Sequence, residues 1–257
     1  MRKPNDMTGR RGFSLVELLV VIAILALLMS ILLPSLAAAR HLARRAVCQA
    51  NLKAVNTAFL LYLQDSGQNY FPYVESSAEG NLWYWGLETL GGPEGSREIR
   101  KDRARLAPYF SHPDRMKVCP EIPWERSDFK PKFQLAGYGY AINRNMLAEG
   151  SKGLRHENVT HASDTAAWAD SMQINTWQPP ASASNPMLEE WYYLDNRAMT
   201  PASFHFRHVG ACNVAYADGS VRSLDPVWLD GRCDGLVGRP EPPAPPAGVT
   251  PLLKLDK

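Results

Sequence analysis

One uninterrupted apolar run, FSLVELLVVIAILALLMSILLPSLAAA from Phe13 to Ala39, sets the terms on which this chain can fold. A helix rises about 1.5 Å per residue, so the stretch from Phe13 to Leu33 extends roughly 30 Å, the thickness of a bilayer's hydrocarbon core. Ahead of it lies a leader in which Arg2, Lys3, Arg10 and Arg11 stand against a single acid, Asp6. The pattern is a charged leader followed by one membrane span. An ordinary secretory signal has a shorter apolar region that ends in a small-x-small cleavage site. Ala37-Ala38-Ala39 imitates such a site, and release of a soluble protein there is a competing reading.

Glu17 is the anomaly within the run. A carboxylate at the centre of a bilayer costs about 2 to 3 kcal/mol on insertion scales, so an acid here either sits shallow among the headgroups or meets a positive partner. Beyond Pro34 the helical pattern continues: Leu36, Leu42, Val47, Leu52, Val55, Phe59, Leu60 and Leu63 recur at three- and four-residue steps, with Arg40, Arg44, Arg45 and Lys53 between them. One helix of about fifty residues follows from that spacing. Its second half is amphipathic and expected to pack on a globular head, Pro34 is placed to kink it, and Gly67 is a natural stop.

The residues Gly12-Phe13-Ser14-Leu15-Val16-Glu17, after a basic leader and before an unbroken apolar helix, resemble the type IV prepilin processing signal. The resemblance implies cleavage between Gly12 and Phe13 by a membrane-embedded prepilin peptidase, and methylation of the new N-terminal Phe13. It also implies that Glu17 neutralises the N-terminal amine of a neighbouring subunit during assembly, and that Pro34 falls where such helices often bend. Positive charge flanks the span on both sides, so the positive-inside rule orients it only weakly. The resemblance places the leader in the cytoplasm, the span in the inner membrane and the head outside.

From Tyr70 onward aromatic residues, glycine and proline with short apolar alternations suit strands and loops more than long helices. Leu82–Leu90 reads equally as helix or strand. Cys119-Pro120, Gly137–Tyr140 and Thr165–Asp170 read as strands. In FRHVGACNVAYADGSVRSL, Cys212, Val214 and Tyr216 alternate before Asp218-Gly219, which reads as a two-residue type I′ hairpin turn. The nine residues between His208 and Asp218, followed by Gly219, resemble the C-terminal signature of prepilin-associated proteins from planctomycete-type bacteria. Cys48–Lys53, Tyr62, Phe71-Pro72, Cys119-Pro120, the Gly-Tyr-Gly-Tyr stretch and Ala169-Asp170-Ser171 agree with that resemblance, which leaves the role of the signature unstated.

The organisation expected is a leader over 1–12, a helix over 13–66 (13–33 in the membrane, 34–66 amphipathic), a head over 67–237 and a proline-rich tail over 238–257. The fold class expected is α+β and pilin-like, a long helix on a mainly antiparallel sheet. In the tail, GRPEPPAPPAG holds five prolines in eleven residues and reads as an extended linker.

The other features narrow the function. With 28 Lys+Arg against 26 Asp+Glu, the net charge of +2 provides no basic excess for a phosphate backbone, and nucleic acid is not an expected partner. Cys48, Cys119, Cys212 and Cys233 lack CxxC spacing, which argues against a zinc knuckle or a thioredoxin-type redox pair and leaves buried thiols or disulfides open. His205 and His208 read as structural in an extended segment, with His208 bonded near the hairpin or to Asp218. Asp218 reads as a turn residue. Calcium is the sharper alternative, since the pseudopilins that the N-terminal design resembles bind it through acidic loops and Asp218, Asp225, Asp230 and Asp234 supply hard oxygens late in the chain, but no EF-hand spacing is present and no ligand set follows; no cofactor is expected. The chain lacks a nucleophile elbow, HExxH, P-loop and dinucleotide turn, so it is not read as an enzyme. Seven Trp and ten Tyr serve either a packed core or sugar stacking. Two functions follow: a subunit that assembles with other pilin-type subunits into a pilus or secretion pseudopilus, or a membrane-tethered head that binds a polysaccharide or surface ligand without polymerising.

Overall fold

The computed structural model describes residues 14–89, 92–93, 95–110, 118–122, 124–134, 139–148, 155–194, 204–225, 228–229 and 232–233. The leader, Gly12, Phe13, Gly137, Tyr138, Asp230, Asp234 and the proline-rich tail lie outside them. The chain divides into two compact units, Met1–Leu42 and Ala43–Lys257. A single helix, α1 (Leu15–Asp65), contributes to both, and Pro34 lies inside it. In the first unit every described residue is exposed, including Leu15, Leu19, Ile31 and Leu33. The helix there is long and apolar enough to cross a membrane. Its hydroxyls are bonded back onto the helix, Ser30 Oγ to the Leu27 carbonyl at 2.7 Å and Ser35 Oγ to that of Leu32 at 2.8 Å. No serine donor on this stretch then needs water.

In the second unit α1 buries one stripe: Cys48, Leu52, Val55, Asn56, Ala58, Phe59 and Leu63. The spacing is that of one helical face, but the buried stripe begins at Cys48. Leu42 and Val47, expected to belong to it, are exposed. The helix stops in a Schellman motif: the Gln68 N–H donates to the Leu63 carbonyl (2.6 Å) and the Gly67 N–H to that of Gln64 (3.3 Å), with Gly67 at φ +64°. Glycine at this left-handed position carries no Cβ penalty, so the expected stop is realised by its usual mechanism.

The sheets are antiparallel-rich. β1 (Glu75–Ser77), β2 (Gly80–Trp83), β3 (Gly86–Glu88) and β4 (Ile99–Arg100) form a meander in that order. Leu82–Leu90, ambiguous from periodicity, is therefore hairpin as far as Glu88. β5 (Phe129–Lys130) pairs parallel with β9 (Met187–Glu189), which pairs antiparallel with β8 (Gln173–Asn175). The central sheet runs β10-β6-β7-β11-β12, from β6 (Tyr140–Asn143), β7 (Ala166–Asp170), β10 (Tyr193–Leu194), β11 (Cys212–Tyr216) and β12 (Val221–Leu224). β13 (Trp228–Leu229) and β14 (Arg232–Cys233) form a small pair. The fold is α+β, as expected, one long N-terminal helix with antiparallel-rich sheets.

Every residue of β6, β7 and β11 is buried, because the central sheet is covered on both faces. One face packs on α1: Trp168, Tyr140, Ile142 and Ala215 share a core with Leu52, Phe59 and Cys48. Phe59 meets the Trp168 ring edge-on at 5.6 Å. The opposite face packs Ala141, Ala169, Cys212 and Val214 against Phe204 and Phe206. Two sequence expectations are corrected. Cys119-Pro120 forms a turn, in which the Ile122 N–H donates to the Cys119 carbonyl at 3.3 Å, and Pro120 has no N–H to offer a ladder. The hairpin β11–β12 exists, but its loop has three residues: the Gly219 N–H bonds the Tyr216 carbonyl (2.9 Å) and the Tyr216 N–H bonds that of Ser220 (2.8 Å). Gly219 has φ +90° while Asp218 does not enter the left-handed region, so this is a turn followed by a glycine bulge and not type I′. The turn with two successive positive φ values lies one step upstream, at Val209 (φ +54°) and Gly210 (φ +87°), closed by the reciprocal His208–Ala211 backbone bonds at 3.1 Å.

Candidate functional site

At the start of α1, Ser14 and Glu17 form a reciprocal capping box. The Ser14 N–H donates to Glu17 Oε2 at 2.8 Å and the Glu17 N–H to Ser14 Oγ at 3.1 Å. Two backbone donors that a helix start leaves open are thereby satisfied. Glu17 thus has a bonded partner within its own chain, a role that the Ser-x-x-Glu spacing already carries in the sequence. Gly12 and Phe13, the expected cleavage pair, lie just outside the described residues.

In the second unit the residues that carry charge in an otherwise apolar interior converge on Asp170. The pleat explains why. β7 pairs with β6 in the register Tyr140↔Asp170 and Ile142↔Trp168, so Asp170, two residues after Trp168, lies on the same helix-facing side. There its carboxylate is fully buried and every described contact is a donor. Arg207 reaches Oδ1 at 3.0 Å (Nη2) and 3.3 Å (Nε), and the Cys48 thiol reaches it at 3.2 Å. His208 Nε2 approaches Oδ2 at 3.2 Å, and the Asn213 N–H donates to it at 2.8 Å. Arg207 also holds the Gly139 carbonyl. Cys119 Sγ lies 3.4 Å from His208 Nε2, and the Tyr140 hydroxyl lies 3.4 Å from Cys48 Sγ.

The electrostatics follow from this packing. Burial raises the Asp170 carboxyl, but the Arg207 charge and the bonds from His208 and Asn213 outweigh it and hold it down at about 2. Burial opposes the charged form of His208, yet its bonds to Asp170 and Cys119 raise it to about 9. Burial raises both thiols. For Cys48 its hydrogen bond to Cys119 adds to the rise, whereas for Cys119 the bonds with Cys48 and His208 and the Arg207 charge reverse it, to about 6. Cys48, Cys119 and Cys212 are all free and buried.

The parts of the His208–Gly219 signature do separate work. The His208 side chain meets Asp170 and Cys119, not Asp218. Asp218 Oδ1 accepts the Ser220 N–H at 2.8 Å and shapes the turn. Gly219 supplies the positive φ and gives its carbonyl to Lys53 Nζ at 2.5 Å; a Cβ there would stand 3.3 Å from Leu60 Cδ1. Of the acids weighed for calcium, Asp218 and Asp225 are exposed. His205 does not face His208 across a helix turn; its N–H extends the β7 edge by donating to the Asp170 carbonyl at 2.9 Å. Sequence reasoning missed Arg207 and Asn213. The available signal was the carboxylate ending the apolar run Ala166–Asp170, since a buried acid requires a cation and donors.

Most aromatic residues fill the core, but a cavity of about 230 Å³ opens among Tyr73, Trp83, Trp85 and Trp191, with Glu88 and Lys132 also on its wall. Trp83 and Trp85 stack at 4.9 Å, and Lys132 Nζ lies 5.6 Å over the Trp191 ring.

No curated protein and no solved structure matches this chain. Residues 7–33, which span the expected cleavage pair, the Ser14–Glu17 capping box and the apolar run as far as Leu33, match the prokaryotic N-terminal methylation motif, and with it the chain carries a prepilin-type signal and a helix long and apolar enough to anchor it in a membrane.

Proposed function

We propose that this chain is a structural subunit of a type IV pilus or type II secretion pseudopilus, processed between Gly12 and Phe13 by prepilin peptidase and methylated on Phe13. The observation that carries this reading is the methylation motif over residues 7–33 on a helix of membrane-spanning length. In this reading the helix resides in the inner membrane and the head is extracytoplasmic. Glu17 selects the amine of an incoming pilin-type subunit, and the protein works by assembly, not by catalysis. The His208–Gly219 segment supports placing the head with the prepilin-associated proteins that carry this C-terminal signature. The test is intact and N-terminal peptide mass spectrometry of the chain extracted from membranes. The expected chain begins at methylated Phe13; one that begins after Ala39 or retains Met1 would overturn the reading.

The aromatic cavity favours a second reading, a tethered head that stacks a sugar ring on Trp83 or Trp191 and does not polymerise. Crosslinking in intact membranes separates the two. A filament subunit yields a ladder of self-adducts, and a tethered receptor does not.

A further inference from the structure

Cys48, Cys119, Asp170 and His208 come from α1, a turn, the end of β7 and the segment before β11, and no two of them are close in sequence. They are all buried, and one donor atom from each lies within 4.8 Å of all the others. We propose that these four side chains form a structural zinc site that ties α1 to the central sheet.

The first argument is geometric. A tetrahedral zinc with Zn–S bonds of about 2.3 Å and Zn–N or Zn–O bonds of about 2.05 Å has edges of roughly 3.3 Å between nitrogen and oxygen. The edges are about 3.6 Å from sulfur to either and about 3.8 Å between sulfurs. The structure has 3.2 Å from His208 Nε2 to Asp170 Oδ2, 3.2 Å from Cys48 Sγ to Asp170 Oδ1 and 3.4 Å from Cys119 Sγ to His208 Nε2. With Oδ2 as the ligating oxygen, two edges of the tetrahedron, His208–Asp170 and Cys119–His208, are therefore present within a few tenths of an ångström, and the Cys48 thiol lies against the other oxygen of the same carboxylate.

The second argument is the donor set. Two sulfurs, one imidazole and one carboxylate from four separate segments suit a borderline-soft ion that prefers four ligands, which is zinc rather than calcium or magnesium. Arg207 and the Asn213 N–H hold the carboxylate from behind, the kind of support that orients metal ligands.

The third argument is charge. Arg207 already balances Asp170, and the two thiols and the imidazole together are neutral whichever of them holds the protons. Zn²⁺ enters as two protons leave, so the buried site gains no net charge. The bonds made are two Zn–S, one Zn–N and one Zn–O; the protons go to solvent, and no redox change is involved. This assignment also provides a use for His208, the first residue of a signature whose other members, Asp218 and Gly219, are accounted for by turn geometry.

The experiment is metal binding by the full chain, solubilised in detergent and kept reduced. Metal analysis after exposure to zinc and desalting is expected to find one Zn²⁺ per chain. Substituting Co²⁺ is expected to produce the visible bands of a tetrahedral site and sulfur-to-cobalt charge transfer. Zinc is expected to slow alkylation of Cys48 and Cys119 in the wild-type chain at least tenfold while leaving that of Cys212 unchanged. Cys119→Ser is expected to lose stoichiometric zinc, and Cys212→Ser to keep it. Because the cobalt and alkylation readouts use the wild-type chain, a variant that fails to fold does not blunt the test. Absence of zinc from the folded, reduced chain, cobalt spectra without thiolate bands, or a Cys48–Cys119 disulfide in the chain isolated from membranes would each overturn the proposal.

Discussion

Val209 and Gly219 occupy two successive turns with opposite fitness for them. Val209 holds φ +54° with a β-branched side chain that is 73% exposed, so it bears the left-handed penalty without burying anything. That conformation costs an L-residue about 1 to 2 kcal/mol, and asparagine tolerates it better. Val209→Asn is expected to stabilise the protein by about 1 kcal/mol, read as a rise in the denaturant midpoint with unchanged slope. Gly219 is the reverse case. Its φ is +90° and the space where a Cβ would stand is bounded by Leu60, so Gly219→Ala is expected to destabilise by about 1 to 2 kcal/mol. A neutral alanine would show that the turn relaxes into another form. Gly219 is legible as a turn residue in the sequence, yet the type I′ turn expected at Asp218-Gly219 lies at Val209-Gly210. Asp-Gly chemistry suits I′ and bulged turns alike, and Val-Gly has no turn propensity to reveal it.

At the scale of elements, the contact between α1 and the sheet includes one titrating ring. His156, in a short 3₁₀ turn at His156–Asn158, lies 3.3 Å from the Tyr70 hydroxyl through Nδ1 and 3.2 Å from the Ala217 carbonyl through Nε2, and it meets the Phe59 ring edge-on at 6.2 Å. The neutral tautomer fits, with Nε2–H donating to Ala217 and Nδ1 accepting from Tyr70. Burial pushes its pKa below the ordinary value, and the bond to the Ala217 carbonyl offsets this only in part. The folded state therefore binds fewer protons than the unfolded one as pH falls through about 6.5. The stability associated with His156 is intact above that pH and is lost as the pH drops towards the lower folded value. Unfolding curves at about pH 7.5 and about pH 5.5, on either side of the free-histidine pKa, are expected to show a smaller pH loss for His156→Gln than for the wild type; equal losses would reject this role. Periodicity made α1 and its glycine stop readable. The central strands β7 and β11 are also readable as strands, but because both faces of that sheet are buried their pattern does not tell which face meets α1.

For the molecule as a whole, the prepilin-type signal and the buried cluster differ in how they can be read. The signal is a contiguous string, so residues 7–33 disclose it without a fold. Cys48, Cys119, Asp170, Arg207 and His208 are united only by the topology that brings α1, β7 and the segment before β11 together, and no spacing announces them. The proposed assembly role makes a separable prediction at this scale. Glu17→Val removes the carboxylate that would meet a neighbouring amine, together with one arm of the helix cap. Cleavage and methylation are expected to persist while incorporation into filaments falls at least tenfold, measured by mass spectrometry of the membrane-extracted chain and by recovery of the subunit in sheared filaments. Wild-type incorporation of the variant would reject Glu17 as the selector.

Four side chains on α1 are bonded to the β11–β12 hairpin in regular succession. Arg45 and Gln49 each bond Ser223 Oγ at 2.8 Å, Lys53 the Gly219 carbonyl at 2.5 Å and Asn56 the Tyr216 carbonyl at 2.8 Å. As the helix number rises from Arg45 to Asn56, the hairpin number falls from Ser223 to Tyr216, so the bonds are distributed along the helix axis and not gathered at one end. A tensile load along that part of α1 strains them in parallel, as a lap joint shares shear across its length, whereas a peeling load would meet them one at a time.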